Sequence, residues 1–294
     1  MIRSNHSGGN LMAKTRLRLG HSPDPDDAFM FYGLARDLID PGGFEFEHIL
    51  RDIETLNQWA MEGKLEITAI SVHNFAYVHD RYALLPNGAS MGDRYGPMVI
   101  AREGFSLDAL ASKMIAIPGE RTTAFLALKL CLGEFAYKVV PFDRIMGEVE
   151  RGQVDAGLII HEGQLTYASR GLTKILDLGE WWHDVTRLPL PLGCNVVRKD
   201  LGEETMSRIA TVLDRSIRYS LDHREAAVDY ALQWARDMDA PLADRFVGMY
   251  VNELTLSYGE AGRRALETLL QRGYAEGHIP GPVAVDFVEM AGPR

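Results

Sequence analysis

Cysteine is scarce: Cys131 and Cys194 are the two in 294 residues. Two thiols cannot build the disulfide framework of a small secreted module, so both are read as reduced and the compartment as cytoplasmic. Positive charge is also short, with 31 Lys and Arg against 41 Asp and Glu, a formal net charge of −10. Without a basic tract the chain lacks the footprint that phosphates demand, which excludes nucleic acid as a partner. No stretch approaches the ~20 apolar residues of a membrane-spanning helix. The opening residues are polar and lack the apolar segment of a signal peptide, so residues 1–14 are expected to form a disordered extension, with Met12 an alternative start. What remains is ordinary globular composition, 46% hydrophobic and 24% charged. At roughly 100–200 residues per domain, the length suits two domains or one large one.

Short apolar runs alternate with longer amphipathic ones, the pattern of an α/β fold. Strands are expected at 15–20, 44–50, 65–71, 98–102, 114–117, 139–141, 156–160 and 192–197. Helices are expected at 28–35, 53–62, 74–80, 122–132 and 145–151, with residues 21–27 a loop and another helix starting at 164–168. Beyond Gly202 the chain reads as almost wholly helical to Gly273, for example over 226–235. Strands first and helices last imply that the tail returns to cover the first domain. Two extended stretches flanked by Gly and Pro, 96–101 and 188–194, read as paired crossover strands. They divide the chain into a discontinuous first domain, 15–102 with 191–294, and an inserted second domain, 103–190.

In open α/β sheets, ligands sit beyond the carboxyl ends of strands. Four expected strands end in residues with chemical capability, two in each domain, so a cleft between the domains could gather them. The first runs into His21-Ser22-Pro23-Asp24-Pro25-Asp26-Asp27, whose carboxylates are read as helix caps and dipole partners. A calcium loop is excluded there, because the following glycine and the terminal Glu are missing. The third ends at Ser71, followed by His73, which either lines the cleft or packs beneath it. The strand ending at Ile117 meets Pro118-Gly119-Glu120-Arg121-Thr122-Thr123 at a helix start. That turn is either an anion site, with backbone N–H groups and two hydroxyls as donors, or a simple N-cap. An acidic protein that binds an acidic molecule needs such a local pocket against its own field. His161 follows the apolar run 156–160, so its imidazole leaves a buried strand at a sheet rim, where it is either a proton shuttle or a structural histidine.

Three apparent motifs fail on context. Gly88-Ala-Ser90-Met-Gly92 matches a nucleophile elbow but is followed by no helix. His161-Glu162 starts like a zinc-protease motif, yet Leu165 stands where the second histidine belongs. The Gly119 turn lacks the Gly-Lys-Ser/Thr ending of a phosphate loop. Trp181-Trp182-His183 either stacks a flat ligand or plugs the domain boundary. Spacing alone does not separate a solute-binding protein from an enzyme on the same scaffold.

Longer strings carry a resemblance. Ser22-Pro23 with Asp27 and Phe29, Asp52-Ile-Glu-Thr-Leu-Asn57, Asp80-Arg-Tyr82 and Gly96-Pro97 lead into Pro118-Gly119 with Thr122-Thr-Ala124. Ala156-Gly-Leu-Ile-Ile-His-Glu162, Asp177-Leu-Gly-Glu-Trp-Trp182 and Leu188-Pro-Leu-Pro-Leu-Gly193 follow. Together they resemble the menaquinone-pathway family that includes 1,4-dihydroxy-6-naphthoate synthase, from about Leu17 to beyond Asn252. The resemblance implies a two-lobed, type 2 periplasmic-binding-protein-like fold with two crossover strands and a central cleft. It implies a lyase that converts cyclic dehypoxanthine futalosine to 1,4-dihydroxy-6-naphthoate, with His161 as base and no metal or organic cofactor. Thr122 and Thr123 would hold a substrate carboxylate, and Ala69, Ile70 and Ser71, with Asn57 nearby, would line the other wall. The partner implied is a small carboxylated molecule, with the chain a monomer or homodimer. The alternatives are a chorismate dehydratase of the same route and a non-catalytic binder of small aromatic carboxylates. Two departures from the family pattern stand out: Asp24 and Asp26 replace an expected Cys and Asn, and Glu120-Arg121 replaces an Arg-His pair.

Overall fold

The computed structural model describes residues 14–234 and 238–290. The expected extension therefore lies, apart from Lys14, outside the described residues, as does Ala235 at the end of one expected helix. Among the described residues eleven strands form two sheets. The first contains β1 (Thr15–His21), β2 (Phe44–Leu50), β3 (Ile67–Ser71), β4 (Tyr82–Leu84), β5 (Ser90–Gly92) and β11 (Leu190–Arg198). The second contains β6 (Met98–Ala101), β7 (Ile115–Ile117), β8 (Tyr137–Val139), β9 (Ala156–Ile159) and β10 (Thr173–Asp177).

In the first sheet the order is β2-β1-β3-β11-β4, with β5 also on β11. β1 runs parallel to β2 and β3, whereas β11 is antiparallel to β3, β4 and β5. The second sheet has the order β10-β6-β9-β7-β8, in which β7 is parallel to both neighbours. All five residues of β3 are buried, as a central strand covered on both faces requires. The parallel strands of each sheet thus deliver their carboxyl ends, and the loops after His21, Ser71, Ile117 and Ile159, to the cleft.

Met98–Ala101 pairs on both sides within the second sheet, so a division at 102/103 would part β6 from its partners. The two sheets divide ahead of Met98 instead. The expected pairing of 96–101 with 188–194 is not made: β6 pairs with β9 and β10, and β11 pairs instead with β5, with Leu190 opposite Gly92. The crossing itself is tight: a Cβ on Gly92 or on Gly179 would lie 1.9 or 2.0 Å from the Tyr95 carbonyl oxygen. Only glycine permits that approach.

Local chemistry explains the helices that position the site. Asp52 caps the Ile53–Glu62 helix by accepting from Thr55 N–H at 3.0 Å, and Gly63 closes it at φ 68°. Thr122 caps the Thr123–Leu132 helix by accepting from Phe125 N–H at 3.2 Å. The loop expected at 21–27 is shorter than that, because Pro25 begins a helix, Pro25–Met30. Its fixed φ suits the first helical turn.

After β11 come the helices Glu203–Asp222, Arg224–Ala231, Ala240–Tyr250, Glu253–Leu256 and Gly259–Ala275. The first three and Pro25–Met30 share an apolar cluster with one face of the first sheet. A second, larger cluster joins residues of both sheets, among them Ile70, Val99, Ile117, Leu158, Trp182, Leu190 and Leu266. The core is therefore continuous beneath the two lobes. The tail then lies along the edge strand β4: Leu84 N–H donates to Asp286 O, and Val288 N–H donates to Leu84 O at 2.8 Å. Among the described residues no helix is long and apolar enough to cross a membrane.

Candidate active site

A cleft of about 760 Å3, part of it open to solvent, lies where the four loops meet. Its wall includes Ala69, Ile70 and Ser71 from the end of β3, Thr122, Thr123 and Ala124 from a helix start, and His161 after β9. Asp24, Asp26 and Asp27 line it too, together with Asn195 and Tyr250. Side chains of the two lobes bond across it. Tyr250 Oη donates to Gln164 Oε1 at 2.7 Å, and Thr123 Oγ1 donates to Leu192 O at 2.6 Å.

His161 is 7% exposed, and its Nδ1 lies 3.0 Å from Asp24 Oδ2. A carboxylate there fixes the tautomer: Nδ1 carries the proton and donates, and Nε2 keeps its lone pair. Nε2 is buried and meets no hydrogen-bond partner among the described residues. The Phe142 ring, its centroid 3.9 Å away, holds the imidazole from the side. Asp24 occupies the N-cap position of the Pro25–Met30 helix yet makes no side-chain cap bond. The capping expectation therefore fails for Asp24, whose carboxylate accepts from Ser22 Oγ at 3.0 Å and from His161. Asp27 accepts from Ser22 N–H at 2.7 Å. Burial pushes Asp27 up to about 7, and burial with two neighbouring carboxylates holds Asp26 well above the usual carboxylate range. Asp24, Asp26 and Asp27 make this wall of the cleft acidic.

The threonine turn presents a different surface. Thr122 Oγ1 donates to Gly119 O at 2.8 Å and accepts from Phe125 N–H, so capping is what this hydroxyl does. Thr123 Oγ1 donates to Leu192 O and accepts from His73 N–H at 3.1 Å. Both hydroxyl protons are already committed. The groups left for an anion are the Thr123 and Ala124 N–H, which have no partner inside a helix at this position, and the helix dipole behind them. Glu54, from the Ile53–Glu62 helix of the first lobe, reaches this turn. A Cβ on Gly119 would lie 2.3 Å from Glu54 Oε2.

Three further residues sit behind the wall. Asn57 is fully buried away from the cleft; its Oδ1 accepts from Ser71 N–H at 2.9 Å and its Nδ2 donates to Ser71 Oγ at 3.1 Å. It shapes Ser71 from beneath. Of the two places open to His73, the cleft wall and beneath it, the structure shows the second: it packs under the threonine turn with Nδ1 3.3 Å from Thr122 O, and burial lowers its pKa to about 4. His21 is buried against Ser22 O and His48, and burial lowers it to about 3. Trp182 is fully buried with Nε1 donating to Pro189 O at 3.0 Å, so it plugs the crossing and stacks no ligand. Cys194 lines the cleft, but burial pushes its thiol far up, which leaves an inert surface. Asp24, His161 and Glu162 bring one donor atom each within 4.8 Å of one another, a spacing a cation could occupy.

Comparison with known proteins follows the same lines. A 1,4-dihydroxy-6-naphthoate synthase of Thermus thermophilus is 42% identical over 261 residues, covering 89% of this chain and 95% of its own length. The crystal structure of protein AF1704 from Archaeoglobus fulgidus superposes with a TM-score of 0.86 at 44% identity, over 89% of this chain and 98% of its own. The alkanesulfonate-binding protein SsuA from Xanthomonas axonopodis superposes with a TM-score of 0.69 at 11% identity, over 93% of this chain and 97% of its own. That last likeness concerns the fold alone, which is the two-lobed fold of the periplasmic binding proteins. A family model described as menaquinone biosynthesis matches residues 17–275. The chain belongs to this menaquinone biosynthesis family.

Proposed function

We propose that the protein is a 1,4-dihydroxy-6-naphthoate synthase, a carbon–carbon lyase that converts cyclic dehypoxanthine futalosine to 1,4-dihydroxy-6-naphthoate and releases the sugar-derived fragment. The similarity to a synthase of that name along nearly its whole length supports the reading. So does one feature of the cleft, which carries the assignment of the base: His161 Nε2, buried and without a hydrogen-bond partner among the described residues, on a ring whose other nitrogen is tied to Asp24. In this reading the substrate carboxylate meets the N–H groups at the start of the Thr123–Leu132 helix. Its acidic carbon is then set against Nε2, which takes the proton. Asp24 stabilises the imidazolium that results, as the carboxylate of a catalytic triad does. The walls exclude water while the carbon–carbon bond breaks.

The reading carries with it a cytoplasmic location, in keeping with free Cys131 and Cys194, and a small carboxylated partner. Purified protein given cyclic dehypoxanthine futalosine should release the naphthoate, followed by its absorbance. His161→Asn should lower kcat by at least about 100-fold, the usual weight of a positioned base, with an unchanged melting profile. A variant that kept its activity would remove His161 from the chemistry. Binding without turnover by the wild type would point to a receptor.

A further inference from the structure

We infer that Asn195 is a further residue of this cleft that touches substrate, its amide oxygen accepting a hydrogen bond from a hydroxyl of the sugar-derived part. The inference rests on the function proposed above and adds to it the group that recognises the polyhydroxylated end. Asn195 stands on the central strand β11, opposite Ala69 of β3, and is 1% exposed. Its Nδ2 donates to Gly88 O at 3.2 Å. That bond fixes the orientation of the amide, because a carbonyl can accept only from the nitrogen. Gly88 is at φ +78°, and a Cβ there would lie 2.0 Å from Nδ2, so the glycine is what lets the carbonyl approach.

The other end of the amide is Oδ1, which is buried with no hydrogen-bond partner among the described residues. Several buried side-chain atoms of the described residues share that condition, but those on residues that line the cleft are two: His161 Nε2 and Asn195 Oδ1. Both are acceptors. A cavity wall with two unmatched acceptors is complementary to a ligand that brings hydrogen-bond donors, because an unmatched buried acceptor is costly to keep. A ligand carboxylate is unsuited to these acceptors, since Asp24, Asp26 and Asp27 line the same cleft. Hydroxyl groups suit them.

Spacing along β11 agrees. Thr123 grips β11 at Leu192, and Asn195 lies three residues further on, about 10 Å at ~3.4 Å per residue. A molecule with its carboxylate at the helix start therefore needs a second polar group roughly a fused-ring length away. The sugar-derived hydroxyls of the substrate are groups of that kind.

The test compares wild type with Asn195→Ala and Asn195→Ser, the serine retaining a donor for Gly88 O. For both, KM for cyclic dehypoxanthine futalosine should rise about tenfold or more, the weight of one hydrogen bond to a buried amide. Affinity for the product, which has lost the sugar fragment, should stay within about twofold. An unchanged KM, or product affinity falling in step with KM, overturns the inference. Should both variants unfold, a crystal structure of the wild type with bound substrate decides: a ligand hydroxyl within hydrogen-bond distance of Oδ1 supports it, and any other neighbour overturns it. Wild-type protein that neither binds nor converts this substrate overturns the proposed function itself, before any variant is compared.

Discussion

His73 illustrates how a single side chain under the active site ties stability to pH. Buried below the threonine turn, it keeps a pKa of about 4, against about 6.5 in an unfolded chain. The unfolded state therefore takes up the proton first. This contribution to stability is complete above pH 6.5 and is lost as pH falls towards 4. At about 1.4 kcal/mol per unit the loss is about 3 kcal/mol. Denaturant titrations at pH 7 and pH 4 should show wild type losing about that much more than His73→Gln, and equal losses would contradict the burial argument. At this scale the sequence is legible where a residue breaks a pattern. His161 is visible because a polar ring ends an apolar strand. Asp24 is not, because a carboxylate before a helix looks the same whether it caps or reaches 137 residues along the chain to an imidazole. Asn195, one amide in a buried strand, gives no signal until its two ends are seen in different environments.

Among the elements, the contact between the Glu54 helix end and the Gly119 turn controls how closely the lobes meet. Burial keeps the Glu54 carboxyl above its ordinary range, and Oε1 is held by Gln58 Nε2 at 3.0 Å. Gly119→Ala should push Glu54 aside and hold the turn away from its partner, lowering kcat/KM by about tenfold, the scale of ~1–3 kcal/mol for a forced contact. Glu54→Ala should restore most of that in the double variant, a coupling that a cycle of the four proteins measures. Additive effects would show that the two do not meet in the working enzyme. Elements with their own local signals are legible in the sequence. The helix expected at 53–62 matches the observed Ile53–Glu62 because Asp52 and Gly63 mark its ends. Three strands escape such reading: β4 and β5, of three residues each, and β10, of five. They exist through pairing with β11 or β6, far away in sequence. The strand expected at 139–141 is observed at Tyr137–Val139 for the same reason, its register being set by β7.

For the whole molecule, the core that runs beneath both sheets was not legible in the sequence. Periodicity marks which face is apolar and is silent on what covers it. The course of the tail was equally hidden, since residues 281–290 carry no strong pattern. Yet Val283, Val285 and Phe287 pack against the core, and Phe287 stacks edge-on to Tyr258 at 4.7 Å. A protein ending at Pro280 should melt lower by about 5 °C or more, given ~2–4 °C per kcal/mol in a chain of this size. It should also form large particles at concentrations where the full chain does not, as light scattering would report; equal melting and equal scattering would refute this. The row of backbone groups on β4 that the tail now satisfies would stand bare. A short stretch of chain remote from the chemistry thus keeps neighbouring copies from zipping together, and guards the solubility on which any turnover depends.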